Sequence, residues 1–139
     1  MLILNPRTVR FGQALWQGIA AVAIDRSPTR LVEEWSDGGP HAVLADVPEQ
    51  RTRIVITQEI GSDDLGPPIP GDQATLSLCA SPTASDAARR RLTTTAVVLR
   101  VEHEVSLKAG AIRTITLAAI SEDGATDPIT VTDASEGSL

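Results

Sequence analysis

The residues of this 139-residue chain with chemical potential are few: two histidines, His41 and His103, one cysteine, Cys79, and a pair of adjacent acids, Asp63 and Asp64. His103 stands between Glu102 and Glu104, a trio that could serve acid–base or metal chemistry if the three side chains converged. They lie in an extended, alternating stretch, and successive side chains of a strand point to opposite faces. The imidazole is therefore turned away from both carboxylates, and His103 reads as a structural histidine on a buried or interface face. Neither histidine has neighbours at metal-ligand spacing. A lone Cys79 forbids an internal disulfide and reads as a small, half-buried side chain. Asp63-Asp64 lacks the spacing of a calcium loop and is crowded by prolines. No nucleophile elbow and no glycine-rich phosphate loop is present. The sequence predicts no enzyme, no cofactor and no metal site.

Composition narrows the class further. Hydrophobic residues make up 42 % of the chain, yet there are only two Trp, one Phe, one Met and no Tyr, so the core must be built from Val, Ile, Leu and Ala. At this length one domain spanning 1–139 is expected, burying roughly two-thirds of its unfolded surface. The net charge is −6, with Lys108 the single lysine among eleven arginines. An acidic chain is poorly suited to gripping a polyanion, which needs clustered cations, and the aromatic faces of a single-strand binding platform are missing. The one basic run, Arg89-Arg90-Arg91, reads as a solvated helix end or a salt-bridge donor. No apolar run is long enough to cross a bilayer. The start, Met1-Leu2-Ile3-Leu4 and then Asn5-Pro6, has neither the basic region nor the apolar core of a signal peptide. The expectation is a product made in the cytoplasm.

The elements that position these residues are strands. The longest runs from Thr93 to Lys108, with Thr93, Thr95, Val97, Leu99, Val101, His103, Val105 and Leu107 on one parity and the charged Arg100, Glu102, Glu104 and Lys108 on the other. At about 3.3 Å per residue it would reach about 50 Å, so it must curve or bulge to stay within a small domain. A turn at Ala109-Gly110 leads to a partner strand, Ile112 to Ile120, making a long hairpin in which Arg113 can join the charged face. Further strands are expected over Arg7–Gly12, Gln13–Asp25, Arg30–Trp35, His41–Val47, Thr52–Ile60, Ala74–Ala80 and Ile129–Thr132. Ser27-Pro28 and Pro48 read as breaks. Gly61 to Gly71, GSDDLGPPIPG, reads as an extended loop. Pro82 to Leu92 predicts one short helix, capped by Ser85 or Asp86 with arginines at its C-terminal end. Both termini are expected to be flexible. The sum is a mainly β fold, an antiparallel β-sandwich or barrel with a long β-hairpin and one short helix.

Without catalysis, the open functions are a binding module or a structural subunit. A strand that outreaches its domain leaves edge groups that another chain can pair. A sugar-binding face would need exposed aromatic rings, and only Phe11, Trp16 and Trp35 are available.

The segments WQGIAAVAIDRSPTRLVEEWSDGGPHAVLADVPEQRTRIVITQEI, PGDQATL, SDAARRR and EHEVSLKAGAIRTITLAAIS, in that order, resemble bacteriophage tail tube proteins, most of all the short forms of tailed phages and gene-transfer-agent-like particles. The resemblance spans about Thr8 to Thr132 and rests on the order of strands, loop, short helix and hairpin. It implies a β-sandwich or barrel with one packed helix, six copies forming a ring around a lumen, and rings stacking into a tube in the virion tail. It implies self-association, contacts with tape measure, baseplate, sheath or terminator proteins, no membrane, and passage of DNA without specific binding. Glu102 and Glu104 become candidate lumen-facing residues. Asp63, Asp64, Leu65, Pro67, Pro68, Ile69, Arg100 and Arg113 become candidate intersubunit contacts. Six copies at −6 carry −36 per ring (6 × −6), a field that would repel phosphate. Tube-initiating baseplate rings and tail terminators share related folds, so those roles stay open beside the tube itself, with a monomeric binding module behind them.

Overall fold

A computed structural model describes residues 9–60, 68–80, 90–106 and 110–133. They form eight strands: β1 (Val9–Phe11), β2 (Ala14–Trp16), β3 (Ile19–Trp35), β4 (Ala42–Ile60), β5 (Gln73–Ala80), β6 (Arg90–Ser106), β7 (Gly110–Ile120) and β8 (Thr130–Asp133). All pairings are antiparallel, in the order β2-β1-β5-β6-β7-β4-β3, with β8 on β6.

This order puts β2 and β3 at opposite ends of the sheet, although only Gln17 and Gly18 separate them in the chain. Three peptide links cannot span more than about 11 Å, so the sheet folds over on itself and brings the end of β2 to the start of β3. The link is tied to β4 by Glu59 N donating to Gly18 O at 2.8 Å and by Gln58 Nε2 donating to Gln17 O at 2.6 Å. Gly18 has φ +70°, and a Cβ there would lie 2.6 Å from the Glu59 carbonyl oxygen. Glycine is required at this position on both counts. The strand expected over Gln13–Asp25 is accordingly two strands, split by a residue that no side chain could replace comfortably.

The interior holds one apolar cluster drawn from every part of the sheet, including Val9, Val22, Ile54, Ile56, Leu76, Leu78, Val98, Ile115 and Leu117. Phe11 and Trp16 stack across it with ring centroids 5.1 Å apart. In β6 the buried set is Leu92, Thr94, Ala96 and Val98, the parity opposite to the apolar alternation read from the sequence. The register explains the exchange: Val98 pairs with Leu117 but Arg100 with Thr116, so Leu99 is an extra, bulged residue. A one-residue slip swaps the faces of everything beyond it. Past the bulge Val101 packs against the core beside Ile115, and Arg100, Glu102 and Glu104 take the outer face.

Neither expected break at proline exists. β3 runs through Pro28 and β4 through Pro48, and beyond Arg26 and Thr52 the two strands leave the body of the sheet as a two-stranded arm. There each strand has a free edge, where a missing N–H removes no ladder bond, and register shifts flank both prolines. The predicted helix falls largely on residues 81–89, outside the described residues. Its expected last turn, Arg90 to Leu92, belongs to strand β6, and no helix occurs among the described residues.

Candidate self-association surface

The part of the sheet formed by β6 beyond its bulge, β7, β4 and the first half of β3 has two open sides. β5 leaves β6 at the Gln73–Val97 pair, followed by two bonds of 2.8 Å that close the corner, Gly71 N to Val98 O and Val98 N to Asp72 O. From Leu99 to Val105, β6 pairs only with β7 among the described strands. On the far side β3 pairs only with β4. An open edge is a template for another strand, and this four-stranded unit carries one at each side.

Four rows of side chains cross its outer face by register: Val97–Ala118–Arg53–Asp25, Arg100–Thr116–Val55–Ala23, Glu102–Thr114–Thr57–Ala21, and Glu104–Ile112–Glu59. The face is polar, with Asp25, Glu59, Glu102 and Glu104 against Arg53 and Arg100. Arg100 Nε lies 2.6 Å from Glu102 Oε1, both side chains well exposed. Glu102 and Glu104, the expected pair, thus share a face with Asp25 and Glu59, which sequence reading did not single out. Only the cross-strand register brings those two residues beside them.

Arg113 lies on the opposite face, in the row His103–Arg113–Gln58. It is 4 % exposed. Its Nε and Nη2 both donate to Gln58 Oε1, and its guanidinium sits 5.8 Å from the Trp16 ring centroid. It is a structural cation that ties β7 to β4 beneath the β1–β2 hairpin, and it does not join Arg100 and the glutamates. His103 shares that row but is exposed in the single chain, which corrects the buried half of the reading given to it. Pro68 is buried and Ile69 exposed. Ile69 is fixed in a turn by its N–H to Asp72 Oδ2 at 3.0 Å and by Asp72 N to Ile69 O at 3.1 Å. Asp63, Asp64, Leu65 and Pro67 lie outside the described residues.

The described residues contain no cluster of metal-ligating side chains. The most strongly perturbed acid, Asp123, accepts bonds from Thr126 N, Thr126 Oγ1, Ala125 N and Ser121 Oγ, at 2.7 to 3.0 Å. The Thr126 backbone N–H first, then the other donors, hold its carboxyl far below the usual carboxylate range. Its acceptor sites are spent on shaping the Ser121–Pro128 loop, and such a group is no base. Asp127 in the same loop is lowered chiefly by the Ile129 N–H, and Arg26 Nη1 reaches it at 2.7 Å from the root of the arm.

Among solved structures, a chain in the tail of an empty GTA (gene transfer agent) particle, computed with helical refinement and C6 symmetry, superposes with a TM-score of 0.51 over 85 % of this chain and 83 % of that one, at 11 % identity. This chain has the fold of a particle-tail protein. No protein-family model and no curated protein matches it. At this identity the likeness concerns the fold, and the side chains on the outer face belong to this chain alone.

Proposed function

We propose that this protein is the repeating structural subunit of a phage-like or gene-transfer-agent-like tail tube, without enzymatic activity. The observation that carries the reading is the four-stranded unit with an open edge at each side. When the Leu99–Val105 edge of one copy pairs with the β3 edge of the next, every copy presents the same two edges and the arrangement closes into a ring. Six copies, the symmetry of the similar tail, contribute four strands each. Such a barrel exceeds the roughly 16–18 strands that already leave an aqueous channel. The apolar cluster fills the opposite side of the sheet, so the polar outer face lines the channel. Its four acids and two arginines give −2 per copy and −12 over six (6 × −2). Duplex DNA slides past such a lining because its phosphates find no excess of cations to hold them. Residues 61–69, with Asp63, Asp64, Leu65, Pro67 and the exposed Ile69, contact a neighbouring copy, and Arg100 pairs with carboxylates across the ring. The virion tail is the location, and tape measure, baseplate, sheath and terminator proteins are the partners.

Electron microscopy of purified protein, with and without a tail-initiating ring, tests the reading. Stacked rings with a central hole are expected. Rings that never stack would indicate a terminator or initiating ring, and a strict monomer under both conditions would overturn ring formation altogether.

A further inference from the structure

The two open edges of the four-stranded unit differ in charge, and the difference restricts how two copies can meet. Successive antiparallel pairings of β6 with β7, β7 with β4 and β4 with β3 leave β3 running opposite to β6. The β6 edge of one copy and the β3 edge of the next therefore meet as antiparallel strands. On the outer face β3 offers Ala21, Ala23 and Asp25, and β6 offers Arg100, Glu102 and Glu104. On the opposite face β3 offers Val22 and Ile24, and β6 offers Val101 and His103.

Backbone bonds fix where the overlap can begin. Val98 N and Val98 O are already taken by Asp72 O and Gly71 N, so an incoming strand finds open edge groups only from Leu99 onward. An odd slip would turn the two outer faces to opposite sides and is ruled out. Among the even registers, one sets Asp25 opposite Arg100. The same register sets Ile24 opposite Val101, two partly buried apolar side chains that border the core from its two edges. Sliding two or four residues further along β6 sets Asp25 against Glu102 or Glu104, and like charges directly opposite each other are destabilising. Sliding two residues the other way sets Asp25 against Val98, beyond the open edge, and leaves Arg100 facing Ala23.

The single chain leaves this pair free to form. Asp25 makes no ion pair among the described residues. Ser27 Oγ reaches it at 3.4 Å, and Arg53 is its ladder neighbour. Arg100 is held by Glu102 alone, and a guanidinium carries five N–H donors, enough for a second carboxylate.

We propose that Asp25 of one copy pairs with Arg100 of the next and sets the register in which the ring closes. Complementary charges fix register across an interface in this way. The proposal rests on the ring reading and specifies the contact within it.

The test uses the full chain, and rings are read by electron microscopy and sedimentation. Arg100→Glu makes the outer face of the β6 edge wholly acidic and should raise the concentration needed for rings by about tenfold or more. Adding Asp25→Lys to that variant should recover them. Register is read separately, with Asp25 and Arg100 kept, by oxidative crosslinking in a Cys79→Ala background. Ala23→Cys with Glu102→Cys, opposite each other in the proposed register, should give disulfide-linked ladders. Ala23→Cys with Glu104→Cys, which a two-residue slip would align, should crosslink several times less. Rings that form as readily from Arg100→Glu, or stronger crosslinking by the second cysteine pair, would overturn the Asp25–Arg100 register and leave the ring standing. Absence of rings from the unaltered protein, even with an initiating ring added, would overturn the ring reading itself.

Discussion

Arg100 and Arg113 carry the same guanidinium, and the environments of the two predict opposite responses to substitution. Removing Arg113 strands the buried Gln58 oxygen that accepts two of its N–H groups, a loss of about 1–3 kcal/mol before the contact with Trp16 is counted. Arg113→Met is therefore expected to lower the denaturant midpoint clearly, with an unchanged slope. Arg100→Met breaks an exposed pair with Glu102 and should shift stability by less than about 1 kcal/mol. Equal midpoints for the two variants would contradict the buried role of Arg113. Asp123 gives a pH signature. Its folded-state pKa is depressed by the bonds it accepts, so its contribution is fully present above the ordinary carboxylate range of about 4 and is lost as pH falls below it. Amide shifts of Ala125 and Thr126 should stay unchanged through pH ~4, where an ordinary carboxylate titrates, and move together only well below it, and Asp123→Asn should abolish that titration.

Among the elements, the β2–β3 junction and the β6 bulge set the geometry on which association depends. Gly18→Ala forces a Cβ to 2.6 Å from the Glu59 carbonyl oxygen at φ +70°. The left-handed conformation alone costs about 1–2 kcal/mol, and relief of the clash must part the β2–β3 link from β4. A loss of thermal stability beyond that amount is expected, with faster hydrogen exchange at the Glu59 amide, which bonds Gly18 O. The bulge at Leu99 carries a different consequence. Deleting Leu99 would set Arg100 directly after Val98 and opposite Thr116, a regular ladder that keeps Glu102 and Glu104 on the outer face but removes the bend and extra twist of the bulge. The deletion variant and Leu99→Ala should therefore both give folded protein by circular dichroism, and loss of folded protein on deletion alone would show that the bend itself is required.

For the whole molecule, the charge of the outer face decides how an assembled channel meets DNA. Glu102→Lys with Glu104→Lys reverses the face from −2 to +2 per copy, or from −12 to +12 over six copies (6 × 2). Assembled rings of that variant should retain short duplex DNA at low salt and release it steeply as salt rises, while unaltered rings retain none. Equal retention by both would place these glutamates outside the channel.

Much of the β architecture was legible in the sequence because alternation has a two-residue period and needs no distant partner: the cores of β4, β5 and β7 follow it directly. The same local rule misread β6, since Leu99 is a bulge only by reference to Leu117 and Thr116 across the ladder. Prolines 28 and 48 signalled breaks because a proline cannot donate, yet no donor is needed on a strand with a free edge, and free edges are a tertiary fact. Arg113 and Arg100 were indistinguishable by type, and their separation depended on which face each strand turns inward. The sequence by itself determined an aliphatic, antiparallel β-protein of acidic balance, without a local signature for catalysis. Only the tertiary structure decided which carboxylates share a face, which arginine is buried, and that the hairpin of β3 and β4 leaves the body as an arm. Those outcomes follow from cross-strand register and sheet closure, which join residues far apart in the chain.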